Sequence, residues 1–399
     1  MLKSETCTSR VIIEEMHRTP LPHIPILFVI CALFLTANVF AQSKSSGEVV
    51  VTKCWSYPTG DESGEILASD GSRVFVGFAG AKIEALSFDG KKMWSSELGG
   101  DISSNFLASN GGLFLVTSTV STDPAKGTGS VLRSLSKETG ITNWNLKLED
   151  SEKYFLFEFE GAMLIVSKSG AIQSIEAATG NVKWRRKIAE GFTAEPATTG
   201  GKLFVAADGK QIFTISMATG EIESLHKVPF GVTALAGAPT GELIVGDERG
   251  NLSSLPIASD KPNWKFKSGG EISGILTVGD HLLITSHDNF FYFLGGRNGG
   301  LAWKRRLSGR ASQIAIVGET YVLVTSFEEH SAVFTSVSNG KIAGQIAFGD
   351  DEKLVYAPIT SNGIIILLTN EAAYAYSSTG CSQNKESGSD VKPAAATLK

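Results

Sequence analysis

The chain has 399 residues, 42% of them hydrophobic and 19% charged, which is enough to bury a large core. Its formal net charge of -5 gives no electrostatic reason to expect a nucleic-acid partner, because nucleic-acid binding needs a basic surface. The 43 glycines predict many tight turns.

An apolar run near the N-terminus predicts an export signal. The run begins after Arg18 and ends with Val39 and Ala41 at the small-residue positions that precede cleavage, so we expect residues 1–41 to be removed. At about 17 residues it is short for a bilayer span, and an uncleaved anchor is the alternative. Met16 is a possible true start, because the polar segment before it is long for a signal.

Two of the four cysteines, Cys54 and Cys381, lie in the expected mature chain. Lipidation at Cys31 is disfavoured, because a lipobox needs a small residue just before the cysteine and Ile30 stands there. Cleavage near Ala41 would make the protein periplasmic or secreted, and an oxidising compartment permits a disulfide.

Similar segments recur along the rest of the chain at intervals of about 40 residues. In chain order they are DGKKMW ending at Trp94, TGITNW at Trp144, TGNVKW at Trp184, SDKPNW at Trp264 and GGLAW at Trp303. Two further copies, TGEIES and NGKIAG, place Ser224 and Gly344 in the position of the tryptophan. A fixed period of this length indicates a repeat architecture.

Each repeat predicts four strands. One unit contains the runs FTAEPATT, KLFVAA and QIFTIS, followed by the strand that holds Ser224. Short runs rich in Ile, Val, Phe and Thr, bounded by Gly, Asp or Asn, are strand and hairpin signals, and no segment of the mature chain has a sustained helical period. The fold class is therefore all-β, and four-stranded units at this spacing are typical of propeller blades.

The second and third strands of the unit can be found eight times, from RVFVGF and IEALSF to IIILLT and AAYAYS. The eighth unit ends at Gly380 without a fourth strand, whereas EVVVTKCWSY near the start of the mature chain has Trp55 in the expected place. The sequence thus predicts an eight-bladed β-propeller over residues 42–381, with the N-terminal strand closing the last blade. The polar residues 382–399 predict a disordered tail.

This closure brings Cys54 and Cys381 near each other. Cys381 follows Gly380 where the outer strand of the eighth blade would begin, and Cys54 precedes Trp55 in the strand that replaces it. The two positions are about two residues apart in register, a gap that slack at the chain end could close. A disulfide is predicted, with two unpaired thiols as the alternative.

The segments EAATGNVKW, SKETGITNW and SMATGEIES resemble the tryptophan-docking repeat of pyrroloquinoline-quinone-like (PQQ-like) propellers, over about residues 50–381. The resemblance implies that each tryptophan packs on a neighbouring blade, with the Thr-Gly turn on the other side of the contact. This role carries over to Trp94, Trp144, Trp184, Trp264 and Trp303, and Trp55 heads the same kind of segment. It fails at Ser224 and Gly344, where we expect looser blade junctions.

The family contains two functional classes. Quinoprotein dehydrogenases add a catalytic Asp, a Glu/Asn/Asp calcium site and, in many members, adjacent cysteines; the mature chain has no Cys-Cys pair and its blades are short. The chain is more similar to the non-enzymatic BamB type, which implies a monomeric cell-envelope scaffold for proteins, without catalytic residues, cofactor or metal. The alternatives are a PQQ-dependent quinoprotein oxidoreductase and a ligand-sensing ectodomain held by an uncleaved N-terminal segment.

Other polar groups have simpler interpretations. His281 and His287 are six residues apart, whereas metal ligands on one strand face sit two apart, so we expect loop histidines. GDERGN, residues 246–251, is expected to be a hairpin turn. Basic residues follow each tryptophan on the outer strands, where charge protects a sheet edge; an anionic partner or nearby membrane surface is the alternative.

Acidic residues are predicted in loops on one face of the ring, together with the one long insertion, residues 118–130. Loops on a rigid scaffold often carry binding, so this face is the candidate partner surface, with a merely solvated rim as the alternative. The candidate residues of this partner surface are Asp61, Glu62, Asp123 with the adjacent Pro124, Lys126, Glu149, Asp150, Asp350 and Asp351.

Overall fold

A computed structural model describes residues 49–381, apart from 61–63, 121–127, 150–151, 189–190, 208–209, 239, 258, 260 and 327–329. The described residues form eight antiparallel sheets arranged in a ring, so the predicted eight-bladed β-propeller is confirmed. The predicted signal segment, including Met16 and Ala41, and the predicted tail lie outside the described residues. In the described part of the chain, no helix is long and apolar enough to cross a membrane.

The first strand, β1 (Thr52–Pro58), belongs to the last blade, and the other strands follow in chain order from the inside of each blade to its outside. Blade 1 contains β2 (Gly64–Ser69), β3 (Arg73–Phe78), β4 (Lys82–Ser87) and β5 (Lys92–Glu97), with a 3-10 turn at Ala79–Ala81. Blade 2 contains β6 (Asp101–Ile102), β7 (Leu107–Ser109), β8 (Gly112–Val120), β9 (Thr128–Leu135) and β10 (Thr142–Leu148). Blade 3 contains β11 (Tyr154–Phe159), β12 (Ala162–Ser167), β13 (Ala171–Glu176) and β14 (Val182–Lys187).

The remaining blades repeat this order. Blade 4 contains β15 (Ala197–Thr199), β16 (Lys202–Ala207), β17 (Gln211–Ser216) and β18 (Ile222–Lys227). Blade 5 contains β19 (Val232–Gly237), β20 (Leu243–Asp247), β21 (Asn251–Leu255) and β22 (Trp264–Lys267). Blade 6 contains β23 (Ile272–Val278), β24 (His281–Ser286), β25 (Phe290–Gly295) and β26 (Leu301–Arg306). Blade 7 contains β27 (Ala311–Val317), β28 (Tyr321–Ser326), β29 (Ser331–Ser336) and β30 (Ile342–Ala347), and blade 8 contains β31 (Ile359–Ser361), β32 (Ile364–Leu368), β33 (Ala372–Ser377) and β1.

The core consists of apolar layers between neighbouring blades. The layer between blades 2 and 3, for example, joins Phe114 and Leu132 to Met163 and Ile165. Because the second strand of each blade is covered on both sides, β12 is buried along its whole length and its sequence is continuously apolar. The outer strand β14 instead has several exposed side chains, in keeping with its polar sequence.

Blade 8 is closed as the sequence predicts. Strand β1 pairs antiparallel with β33, and a bulge between Lys53 and Trp55 leaves Cys54 outside the ladder. In most outer strands the residue before the tryptophan position is skipped in the same way, as Asn143 is in β10. The bulge turns Cys54 away from the regular pairing. Cys54 and Cys381 are joined by a disulfide, and their Cα atoms are 5.3 Å apart.

Two elements differ from the sequence-based expectation. Residues 118–130 were predicted as a loop, but β8 and β9 continue their pairing to Val120 and Thr128, so much of the insertion is a longer hairpin. The first strand of blade 4 was expected to include FTAEPATT, but the regular strand covers only Ala197–Thr199. Pro196 directly precedes it and lacks the N–H that a strand ladder requires.

Candidate functional site

The loops of interest lie on one face of the ring. In each blade the strands run alternately up and down, so the turn between the second and third strands emerges on the same face as the connection from the outer strand to the next blade. We call this the connection face. Glu149 follows β10 and Asp350 and Asp351 follow β30, so they belong to this face together with the end of the β8–β9 hairpin.

The acidic residues of the connection face differ in their surroundings. The Glu149 carboxylate is 67% exposed and lies 3.6 Å from the Lys187 ammonium group. Asp350 and Asp351 are exposed in the connection between blades 7 and 8, far around the ring from Glu149. The other candidate residues of this face, Asp61, Glu62, Asp123, Pro124, Lys126 and Asp150, lie outside the described residues.

Glu352 follows Asp350 and Asp351 in the sequence but points inward. It is 6% exposed and accepts hydrogen bonds from the Thr369 hydroxyl at 2.7 Å and the Gly349 N–H at 3.2 Å. Burial raises the pKa of its carboxyl, but the hydrogen bonds from Thr369 and Tyr374 leave that pKa below its usual value. Glu352 therefore stabilises the loop, while the two aspartates remain available to solvent.

A cavity of about 630 Å³ opens among the inner parts of several blades. Its walls include Ile66, Ile102, Asn105, Phe155, Gln313 and Tyr356. Sequence reasoning missed this site, because its walls come from separate repeats and share no local motif.

The charges at this inner cavity are paired. The Lys153 ammonium group lies 2.8 Å from the Glu195 carboxylate, and Glu152 pairs with Lys168 at 2.8 Å. Burial, followed by the negative charge of Glu195, raises the pKa of Tyr356. The cavity therefore offers an apolar wall with compensated charges.

The six tryptophans lie at junctions between neighbouring blades. Each ring covers a glycine with positive φ in the turn of the next blade, and a Cβ added to that glycine would lie 2.4–2.8 Å from the ring. The glycines beneath Trp55, Trp94, Trp144, Trp184, Trp264 and Trp303 are, in that order, Gly90, Gly140, Gly180, Gly220, Gly299 and Gly340. Only glycine satisfies both the backbone conformation and the close approach of the ring.

The indole N–H groups add hydrogen bonds across these junctions. Five of them donate to a carbonyl of the next blade at 2.8–3.1 Å: Trp55 to Phe88, Trp94 to Lys137, Trp144 to Ala177, Trp264 to Gly296 and Trp303 to Val337. Trp184 is the exception, since its buried N–H has no acceptor among the described residues.

Two arginines of the outer strands have a more specific role than edge protection. The Arg186 guanidinium donates to the Gly220 carbonyl at 2.7 Å, and that of Arg305 donates to the Gly340 carbonyl at 2.7 Å. Both therefore bind the turn that the neighbouring tryptophan covers. Edge protection by the basic residues of the outer strands stays a prediction, and these two arginines in addition bind the next blade.

The two junctions without tryptophan differ from each other. At Gly344, between blades 7 and 8, the N-terminal segment takes up the space: the Val49 N–H donates to the Ala343 carbonyl at 2.6 Å, and the Val49 carbonyl oxygen would lie 2.5 Å from a Cβ added to Gly344. The junction between blades 4 and 5 instead contains a cavity of about 410 Å³ that His226, the neighbour of Ser224, helps to line.

Asp247, His281 and His287 are each in contact with neighbouring residues of the fold. The Asp247 carboxylate accepts hydrogen bonds from the backbone N–H groups of Arg249 and Asn251, so the predicted turn at residues 246–251 is present. His281 stacks on Phe293 with ring centroids 4.8 Å apart, and His287 lies 3.6 Å from the Glu271 carboxylate. The two histidines stand at opposite ends of β24, too far apart to share a ligand.

A family model for the outer membrane protein assembly factor BamB matches residues 37–158, 128–223 and 224–387. A search of curated proteins finds no significant match. Among solved structures, BamB from Moraxella catarrhalis is 14% identical, with a TM-score of 0.61 over 82% of this chain and 98% of that one.

Two other solved structures are similar to this chain. The computationally designed Ika8 protein is 12% identical, with a TM-score of 0.68 over 81% of this chain and 99% of its own. The C-terminal WD40 domain of Sif2 is 10% identical, with a TM-score of 0.64 over 82% of this chain and 98% of its own. At these identities the structural likeness supports the fold alone.

Proposed function

The chain belongs to the family of the outer membrane protein assembly factor BamB, and from this premise we propose that it is a non-catalytic scaffold that binds proteins in the cell envelope. The observation that carries the proposal is the connection face. It combines exposed carboxylates at Glu149, Asp350 and Asp351 with a projecting β-hairpin on a rigid ring. Rigid scaffolds with variable loops are well suited to protein recognition.

We further propose that the mature protein is a periplasmic or secreted monomer that begins at Gln42. The apolar run before Ala41 supports export, and a disulfide between Cys54 and Cys381 suits an oxidising compartment. N-terminal sequencing of the protein from an envelope fraction tests this, with Gln42 as the expected first residue. An intact apolar segment in a membrane-bound form would instead support the anchored ectodomain.

Binding through the connection face can be tested with two variants. In the first, residues 119–129 are replaced by a two-residue turn; in the second, Asp350→Lys and Asp351→Lys are combined. We expect retention of envelope proteins on the immobilised chain to fall at least tenfold for one or both, with little change in melting temperature. Surface loop length has only a slow effect on stability, so the fold should tolerate the shorter hairpin.

The matched control is Glu221→Lys, which reverses an exposed charge in a turn on the opposite face. Equal retention by all variants would contradict the proposed surface. The enzymatic alternative is tested separately by adding pyrroloquinoline quinone and Ca²⁺ with an electron-accepting dye. Oxidation of alcohols or sugars under these conditions would show that the chain is a quinoprotein and not a passive scaffold.

A further inference from the structure

We propose that the junction between blades 4 and 5 binds an acidic, extended segment of a partner protein through an aromatic side chain of that segment. This junction, which we call the 4/5 slot, lies along the outer strands β18 and β22. It is a second binding site, and it does not depend on the acidic loops of the connection face. The argument rests on the repeat itself, on the apolar walls of the slot and on its charge.

The repeat shows what kind of group fits at such a junction. At six junctions an indole from one blade packs on the turn of the next, but blade 4 has Ser224 in this position. The facing turn of blade 5 also departs from the repeat, since its segment, which contains Pro256 and Pro262, lacks the turn glycine that the six tryptophans cover elsewhere. Ser224 offers only a hydroxyl, which lies 3.3 Å from Nε2 of His226. Both halves of the usual contact are therefore missing here.

In the described part of the chain, nothing takes the place of the tryptophan at this junction. At Gly344 the N-terminal segment covers the place of the missing tryptophan, with Val49 against the outer strand. No described segment does the same between blades 4 and 5. The cavity of about 410 Å³ that remains is within the range of about 300–1000 Å³ that is usual for ligand pockets.

The walls of the 4/5 slot suit an aromatic ring. They include apolar side chains from both blades and from the loop between them, Val228, Phe230, Leu252, Leu255 and Phe266. A buried aromatic anchor of a partner is a common source of binding energy at protein interfaces. An aromatic side chain of a partner could thus pack between these two blades, as the chain's own tryptophans do at six other junctions.

The positive charge around the slot favours a partner segment in which acidic residues flank the aromatic residue. Lys227, Lys265 and Lys267 line the slot and are exposed, and none of them pairs with a carboxylate among the described residues, although the Lys267 ammonium group donates to the Arg249 carbonyl. Among the described residues of the wall, the carboxylate is that of Asp247, which is 9% exposed and is occupied by hydrogen bonds from its own turn. A positive rim around an apolar floor favours an aromatic residue flanked by Asp or Glu.

Binding can be measured with a fluorescein-labelled peptide, Asp-Glu-Trp-Glu-Asp, and the full mature protein by fluorescence anisotropy. We expect saturable binding that weakens at least tenfold when alanine replaces the peptide's tryptophan. Ser224 lies next to His226, which lines the slot, so the indole of Ser224→Trp should reach into the slot and weaken peptide binding at least tenfold, without lowering the melting temperature. Unchanged binding by a folded Ser224→Trp variant would overturn the proposal, and so would an absence of saturable binding at millimolar peptide.

A charge reversal provides an independent test that does not depend on how Ser224→Trp folds. Lys265→Glu should weaken peptide binding at least tenfold, whereas Arg185→Glu, the same repeat position beside the junction of blades 2 and 3 that Trp144 occupies, should have little effect. Equal losses in both variants would show a nonspecific charge effect and overturn the slot.

Two further arms identify the ligand and separate the two sites. Vesicles containing phosphatidylglycerol should not displace the peptide. If the vesicles displace it, and if the alanine peptide binds as well as the tryptophan peptide, the surface binds anionic lipid and the proposal is wrong. The variant combining Asp350→Lys and Asp351→Lys should bind the peptide as the parent protein does. Loss of peptide binding in that variant would contradict a separate site.

Discussion

Trp184 differs from the comparable Trp303 in the hydrogen bond of its indole N–H, and Trp303 also stacks on Phe293, with ring centroids 5.0 Å apart. Both rings cover a turn glycine whose carbonyl also binds an arginine, but only the Trp303 N–H has an acceptor, the Val337 carbonyl at 2.8 Å. Replacing each tryptophan by phenylalanine removes similar apolar area and the N–H. We expect Trp303→Phe to cost about 1 kcal/mol more than Trp184→Phe, measured by urea unfolding. Equal costs would show that the hydrogen bond adds nothing.

The turn glycines allow a second paired comparison. Gly140 and Gly161 have the same φ of +71°, but a Cβ on Gly140 would lie 2.4 Å from the Trp94 ring, whereas Gly161 has nothing within 4 Å. Gly161→Ala should cost about 1–2 kcal/mol for the left-handed backbone alone. Gly140→Ala should cost about 1–3 kcal/mol more, because the ring must also move. A similar unfolding free energy for the two variants would contradict the close packing of Trp94.

Asp70 links blades 1 and 2 by charge. Its carboxylate lies 3.0 Å from Arg73 and 3.4 Å from Lys137. Burial alone would raise the pKa of Asp70, but hydrogen bonds from Ser72 and Arg73 and the charge of Lys137 lower it from 3.8 to about 2. Because the folded-state pKa is the lower one, the stabilisation is present above about pH 4 and is lost as the pH falls toward 2.

The asparagine variant tests this dependence. In Asp70→Asn the titrating group is gone, so the decrease in unfolding free energy between pH 4.5 and pH 2.5 should be smaller than in the parent protein, by up to about 2 kcal/mol. Thermal or urea unfolding at a series of pH values measures it. Parallel pH profiles for the two proteins would mean that folding does not lower the pKa of Asp70.

At the scale of elements, the outer strand of each blade decides how it joins the next. The missing tryptophans at Ser224 and Gly344 look equivalent in sequence, but their junctions differ, since Val49 covers one of them. Ser224→Trp should therefore raise stability by about 0.5–2 kcal/mol by filling a cavity. Gly344→Trp should lower it by about 1–3 kcal/mol, because the Val49 carbonyl already occupies the space. Melting temperatures that change in the same direction would refute this distinction.

The sequence predicted the strands best where the hydrophobic pattern and the turn residues agree. The runs KLFVAA and QIFTIS became β16 and β17 with their predicted bounds. It predicted the inner strands less well, because they are short and their sequences are mixed, as in Ala197–Thr199. The longer β8–β9 hairpin was missed because Ser, Thr and Gly in STVSTDPAKGTGS favour a loop locally, while pairing with an existing hairpin extends the ladder.

At the scale of the molecule, the ring is closed by one strand and one disulfide. Cys54 and Cys381 are 327 residues apart in sequence, so the crosslink restricts nearly the whole unfolded propeller. Replacing both by serine should lower the unfolding free energy by up to roughly 5 kcal/mol, as the loop-entropy model gives for long loops. Urea unfolding of the oxidised protein and the double variant measures this. A midpoint unchanged in the double variant would show that the strand pairing suffices.

The candidate sites could be predicted only in part. The acidic connections were visible because they interrupt the repeat, but the sequence does not show that the neighbouring Glu352 turns inward. The inner cavity and the 4/5 slot depend on contacts between repeats. Ser224 carried a signal of the slot, since it breaks the tryptophan pattern, but the contrast with Val49 at Gly344 required the three-dimensional arrangement.

The pairing of β1 with β33 also sets an order of events in time. Strand β1 is the first part of the propeller that the ribosome makes, and β33 is the last, so the backbone of β1 and Cys54 have no partners until the blades between them have been made, whereas the Trp55 ring can already contact blade 1. At about 5–20 residues per second, synthesis of the intervening chain takes on the order of 20–60 s. The ring cannot close before β33 has been made, and until then the protein must keep a finished strand unpaired.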